Sequence, residues 1–303
     1  MIRKTINQIF GQVLLSISLL AGAAASTSAE PRVRQSAYAP LETSYKCRGR
    51  LDTLYCRSSQ AKLGERRMFV YLPENYDNTT ESYPVVYLLH GARGSETAWI
   101  EKGGVLHDID SLTLEGKVKP MIVVFPNTNQ YNNDEDYRYG RRKPVGEAFF
   151  EIDGVVESLF PKDVVGTVDS LYRTIRSKEG RAIAGLSIGA LQAIFISANF
   201  PDMFDYVGMF SPMIKPAFKR GHNNGFYSGL KEKLSVQFSN PPRIYWIMAG
   251  FWDVFYCSTQ QFDFYLNNHD YPHRYNLSGG GHTWKNWIEY CNLFLQNLWL
   301  DRE

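Results

Sequence analysis

Apolar positions along the chain fall into two repeating kinds of segment. Short, nearly continuous apolar runs at 83–89, 121–126, 182–184, 206–210 and 243–249 predict strands covered on both faces. Residues 67–73 alternate as an edge strand should, and 273–277 predict a last strand. Between these lie segments with apolar residues three and four apart, the helical period. They cover 96–116, 147–177 (with Phe149, Ile152, Val155, Val156 and Leu159), 190–200, 260–268 and 284–300. Three stretches carry no period: 30–60, polar and expected to hold an extension with a hairpin; 127–145, a long loop; and 212–240, irregular and basic. Strands alternating with helices predict an α/β sandwich with a mostly parallel central sheet. No linker or internal repeat divides the chain, so a single domain is expected.

The first 29 residues depart from this pattern. Arg3 and Lys4 precede an apolar stretch, and Ala23-Ala24-Ala25 or Thr27-Ser28-Ala29 supplies a small-residue cleavage site. That is the signature of a secretory signal peptide, and the apolar run is short for a bilayer span of about 20 residues. A secreted or periplasmic protein is expected, with no stable membrane insertion after the signal is cleaved. The expected organisation is therefore a signal peptide over 1–29, an N-terminal extension over 30–60 and a catalytic domain over 61–303.

Composition narrows the partners. Removing Arg3 and Lys4 from the 33 basic residues balances the 31 acidic ones, so the mature chain is near neutral. No nucleic-acid partner is expected, since that would need a concentrated basic face. Export permits disulfides among Cys47, Cys56, Cys257 and Cys291, and four cysteines allow three pairings. Cys47 with Cys56 across a predicted turn, Cys257 with Cys291 across a loop and the last helix, and buried free thiols all stay open. None has the spacing of a zinc site, and neither a metal nor a cofactor is expected.

The candidate chemistry centres on Gly185-Leu186-Ser187-Ile188-Gly189, set between a strand and a helix. Glycine on either side of a serine at that junction is what a nucleophile elbow requires. A serine hydroxyl needs a base to take its proton, and the base needs an orienting group. His282, in a glycine-rich loop after the last strand, is the well-placed base. Of the acids between them (Asp202, Asp205, Glu232, Asp253, Asp263, Asp270), Asp253 directly follows a buried strand. Asp202 and Asp205 read as turn or cap residues and Asp263 as a solvated helix residue. Backbone N–H groups of Ile188 and Ala92 are the expected oxyanion donors. His90 reads as a structural hydrogen-bonder.

Four stretches together resemble the Putative esterase family of α/β-hydrolases. They are Leu88-Leu89-His90-Gly91 with Gly94-Ser95-Glu96 and Trp99; Pro126-Asn127-Thr128-Asn129; Ala184 to Gly189; and Gly279-Gly280-Gly281-His282 with Trp284 and Trp287. The similarity runs from about Arg66 to the C-terminus and is nearest the feruloyl-esterase-like branch of a family that includes esterase D, enterochelin esterases, mycolyltransferases and acetyl-xylan esterases. It implies an α/β-hydrolase fold with Ser187, Asp253 and His282 as the triad. The chain departs from the family in Ile188 and Ala190, and in bulky Phe251 and Trp252 before the acid.

The expected function is a secreted serine carboxylesterase that hydrolyses feruloyl or acetyl esters on carbohydrate through an acyl-enzyme. A small-molecule or polysaccharide ester is the expected substrate. A siderophore esterase is the alternative hydrolase, for which the basic run 138–143 would suit an anionic ligand. An acyltransferase is another. From a different class comes a carbohydrate-binding protein on an inactive hydrolase fold.

Overall fold

A computed structural model describes residues 41–58, 65–129, 154–214 and 225–300. The expected signal peptide, the basic run 138–143 and the loop beyond residue 129 lie outside the described residues. Eight strands form one sheet in the order β1-β2-β4-β3-β5-β6-β7-β8. They are β1 (Arg50–Arg57), β2 (Glu65–Leu72), β3 (Val85–Leu89), β4 (Ile122–Pro126), β5 (Arg181–Leu186), β6 (Tyr206–Phe210), β7 (Ile244–Gly250) and β8 (Arg274–Ser278). Strands β3 to β8 pair in parallel, and β2 runs antiparallel to both β1 and β4.

Side chains alternate across a strand, so each apolar run feeds two cores. Val85, Tyr87 and Leu89 enter the core on one face, with Ile183 of β5. Val86 and Leu88 enter the other, with Ala182 and Ala184. The first face is covered by α5 (Ile188–Asn199), which is buried almost throughout, and by α6 (Leu230–Gln237) and α7 (Tyr256–Asn267). The second is covered by α1 (Ala98–Glu101), α2 (Val105–Leu114) and α8 (Trp284–Leu295). Helix α8 buries Trp287, Cys291, Phe294 and Leu295, one stripe at helical spacing. Each such side chain contributes roughly 1.5–3 kcal/mol on leaving water.

The structure corrects several sequence expectations. The helix expected over 96–116 is broken at Gly103-Gly104, where Gly104 takes φ 61°. The described part of 147–177 is a series of short turns: α3 (Val155–Ser158), a π-helical turn (Pro161–Val165) and α4 (Gly166–Leu171). Pro161 removes a backbone donor there, and from Tyr172 the chain is extended, with Thr174 bridging to Tyr83. Helix α6 falls inside the stretch expected to be irregular. It buries only Leu234 and Gln237, which leaves too thin an apolar stripe to read.

Within 30–60, residues 50–57 form the outer strand β1, so the sheet reaches into the stretch expected to hold an extension with a hairpin, and β1 pairs antiparallel with β2. The turn expected between Cys47 and Cys56 is instead the start of that strand. Residues 48–49 bend, and from Arg50 the strand carries the chain about 20 Å to Cys56. The three residues back to Cys47 can recover about 11 Å at most, which still leaves the pair beyond disulfide reach. All four cysteines are free thiols, with Cys56 and Cys291 buried.

Candidate active site

Parallel strands deliver the site's side chains from their carboxyl ends. Ser187 follows β5 at φ 55° and ψ −112°, a conformation that L-residues rarely adopt, and opens helix α5. Two close approaches explain the glycines around it. A Cβ on Gly185 would stand 2.5 Å from the Gly189 carbonyl carbon, and one on Gly189 would strike the His90 carbonyl oxygen. Strand, elbow and helix can fold back this tightly only without those side chains. The Ser187 N–H donates to the Phe210 carbonyl (2.8 Å), extending the β5–β6 ladder by one residue.

The Ser187 hydroxyl donates to His282 Nε2 at 3.0 Å. His282 Nδ1 donates to both Asp253 oxygens at 3.1 Å. The structure thus brings the three predicted residues together from three loops after β5, β7 and β8. Phe255 and Trp287 present their rings to the imidazole nearly perpendicularly, with centroids 5.0 and 4.8 Å away. The Trp252 N–H donates to the Gly280 carbonyl at 2.9 Å and ties the acid's loop to the histidine's. Phe251 and Trp252 are 49% and 76% exposed, so their bulk lies on the surface beside the acid rather than in the core.

Asp253 is buried. Burial pushes its carboxyl up, but hydrogen bonds from His282, Ser211 and the Phe255 N–H outweigh this and hold it below the ordinary carboxylate range. A carboxylate so held stays anionic opposite the imidazole, which suits it to stabilise an imidazolium.

Ile188 opens helix α5 directly after Ser187, and the loop carrying Ala92 comes close to the serine, since a Cβ on the neighbouring Gly91 would stand 3.6 Å from the Ser187 Cβ. Among the described residues, neither N–H has an acceptor. The loop carrying Ala92 is fixed by His90, whose Nδ1 donates to the Gly91 carbonyl (2.8 Å) and whose Nε2 accepts from the Thr128 N–H (3.1 Å). Burial pushes the His90 imidazole down to about 4, so it is a neutral strut. The first residues of the expected loop 127–145 are therefore pinned. Thr128 donates to Gln192, Gln192 to buried Glu157, and Asn127 to Glu96, which pairs with Arg67 under the same loop.

Sequence reasoning passed over Ser211, Glu157 and Gln192, and it named Glu96 and Thr128 only within the stretches that carry the resemblance, without a role. Ser211 and Thr128 did carry a signal, because each stands just past a buried strand, as Ser187 does. The other acids serve structure. Asp205 accepts from the Arg243 N–H (2.9 Å), and Asp202 accepts from Asn240 (3.1 Å). Asp263, expected to be solvated, instead pairs with His273 at 2.9 Å, near the amino end of β8. No group of three or more metal-binding side chains occurs among the described residues.

A mostly parallel eight-stranded sheet with a serine elbow after β5, and an acid and a histidine after β7 and β8, defines an α/β-hydrolase. The family model described as Putative esterase matches residues 59–292, and the chain belongs to that family. It is 35% identical over 147 residues to the endo-1,4-beta-xylanase/feruloyl esterase of Xylanibacter ruminicola, a match spanning 47% of this chain and 19% of that protein. It is 27% identical over 153 residues to endo-1,4-beta-xylanase Y of Acetivibrio thermocellus, spanning 50% of this chain and 13% of that protein. The chain thus spans less than a fifth of the length of these two relatives. Among solved structures it is similar to a CE1 ferulic acid esterase from Anaeromyces mucronatus. That likeness has a TM-score of 0.68 at 22% identity and covers 86% of this chain and 94% of the other, which speaks to the fold.

Proposed function

We propose that the protein is a serine carboxylesterase that hydrolyses acyl esters on carbohydrate, of the feruloyl or acetyl-xylan kind. The observation that carries the proposal is His282 set between the Ser187 hydroxyl at 3.0 Å and the Asp253 carboxylate at 3.1 Å. His282 takes the Ser187 proton as Oγ attacks the ester carbonyl. The tetrahedral oxyanion is met by the Ala92 and Ile188 N–H groups, which are free to donate. His282 then protonates the departing sugar hydroxyl, leaving an acyl-Ser187 that water, activated by the same imidazole, hydrolyses. Exposed Phe251 and Trp252 beside Asp253 offer apolar surface for an aromatic acyl group or a sugar ring. Support for the carbohydrate ester comes from the relative named endo-1,4-beta-xylanase/feruloyl esterase. The leader over residues 1–29 would carry the enzyme out of the cytoplasm to the polysaccharide esters outside the cell.

The test is hydrolysis of p-nitrophenyl acetate, methyl ferulate and acetylated xylan by purified protein, with a fluorophosphonate probe on Ser187. Release of ferulate or acetate and labelling at Ser187 are expected. An unreactive, unlabelled wild type would overturn the proposal in favour of a binding protein on a hydrolase fold. Cleavage confined to siderophore esters, or transfer to sugar acceptors in water, would replace the substrate or the reaction.

A further inference from the structure

Ser211 stands one strand over from Ser187, at the corresponding position past β6. It is fully buried and takes φ 54°. Glycine would adopt that backbone without strain, so the serine there is accounted for by its hydroxyl rather than its backbone. The hydroxyl accepts from the Trp287 indole N–H at 3.1 Å. Ser211 is also among the hydrogen-bonding groups that hold the Asp253 carboxylate below its ordinary range, and toward a carboxylate a hydroxyl can only donate. Trp287 comes from α8, one turn after His282, and also packs its ring against the imidazole at 4.8 Å. The indole, the hydroxyl and the carboxylate form one directed chain, each group donating to the next.

We infer that Ser211 and Trp287 are positioning residues that orient the Asp253 carboxylate, and through it His282, for attack by Ser187. Apart from His282, which the carboxylate has to orient, the Phe255 N–H reaches one carboxylate oxygen at 2.8 Å, and that anchor alone leaves the carboxylate free to swing about it. The Ser211 hydroxyl supplies a second anchor, itself prevented from rotating by the indole. The Ser211 proton never leaves its oxygen, because a carboxylate held below its ordinary range is a poor base.

This inference rests on the esterase reading of the site, and its test is separable from that one. Ser211→Gly removes the hydroxyl while relieving the backbone. It should fold with a melting temperature near that of the wild type, keep KM for p-nitrophenyl acetate, and lose about tenfold in kcat, the size of one hydrogen bond to a charged group. Trp287→Phe keeps a ring but drops the donor, and should lose kcat by a smaller factor. In the double variant the losses should not multiply, because both changes cut one chain. Wild-type kcat in Ser211→Gly, a loss carried in KM alone, or fully multiplying losses in the double variant would each overturn the inference. An inactive wild type would instead defeat the esterase reading itself.

Discussion

Two serines follow adjacent parallel strands with nearly the same positive φ, Ser187 at 55° and Ser211 at 54°. Each extends its ladder by one bond to the neighbouring strand, Ser187 N–H to Phe210 (2.8 Å) and Ser211 N–H to Met248 (2.7 Å). Both are buried. What separates them is the partner of each hydroxyl. Ser187 meets an imidazole nitrogen with a free lone pair and begins a twelve-residue helix. Ser211 is followed by Pro212 and is locked between an indole N–H and a carboxylate. A strained serine at a strand end is thus not a nucleophile by position. In the proposed mechanism, the base beside Ser187 and the oxyanion donors around it make one, and a serine at the same φ without them makes a strut.

The largest predicted effect tests that contrast directly. Ser187→Ala should lower kcat for p-nitrophenyl acetate by about 10^4-fold or more and abolish fluorophosphonate labelling, although Ser211 remains. A labelled Ser211 peptide, found by mass spectrometry, would break the comparison. Asp253→Asn removes the anion that both networks share and should cost roughly 10^3- to 10^4-fold in kcat, as loss of the oriented histidine does in triads generally. Steady-state kinetics would show it, and a loss under tenfold would mean that His282 is oriented without the carboxylate.

The next effect belongs to the Ser187 side alone, where His90 braces the loop carrying Ala92. Burial holds His90 at about 4 against 6.5 for a free imidazole, so between those pH values the unfolded chain binds the extra proton. Stability should be full above pH 6.5 and fall by up to about 3 kcal/mol as pH drops toward 4, at about 1.4 kcal/mol per unit. Urea unfolding of the wild type and His90→Gln across that range would measure it, and matching pH slopes would contradict it.

The smallest effect separates the two serines by stability. Ser187→Gly relieves backbone strain and loses only a hydrogen bond at the site's edge, so it should stabilise the fold by about 1 kcal/mol while ending activity. Ser211→Gly relieves similar strain but leaves the indole N–H and the carboxylate each a partner short, so no net gain is expected. Equal gains in denaturant unfolding would mean that the Ser211 hydroxyl contributes nothing.

Much of this was legible in the residues because the rules involved are local. An apolar run covered on both faces is a buried strand wherever it lies, and Gly185 and Gly189 bracket Ser187 because the elbow leaves no room for a side chain. Asp253 stood out by following a strand, and His282 by its glycine-rich loop. The misreadings arise where the local signal is thin or long-range contact overrides it. Helix α6 has too few buried residues to show a period, and 147–177 reads as one helix although Pro161 and the Tyr83–Thr174 bridge break it up.

The sequence by itself determined the alternation of strand and helix, the elbow, and the order serine, acid, histidine. These depend on side-chain period and on the steric room of residues a few positions apart. Only the tertiary structure decided which groups meet: Ser187, Asp253 and His282 within hydrogen-bond reach, His90 held neutral by burial, and Ser211 turned to the acid rather than to a base. Hydrogen bonding and desolvation act over a few ångströms in space, between residues that lie 29 and 95 positions apart in the chain. No pattern along the chain encodes that distance. The packing of β5, β6, β7 and β8 into one sheet creates it.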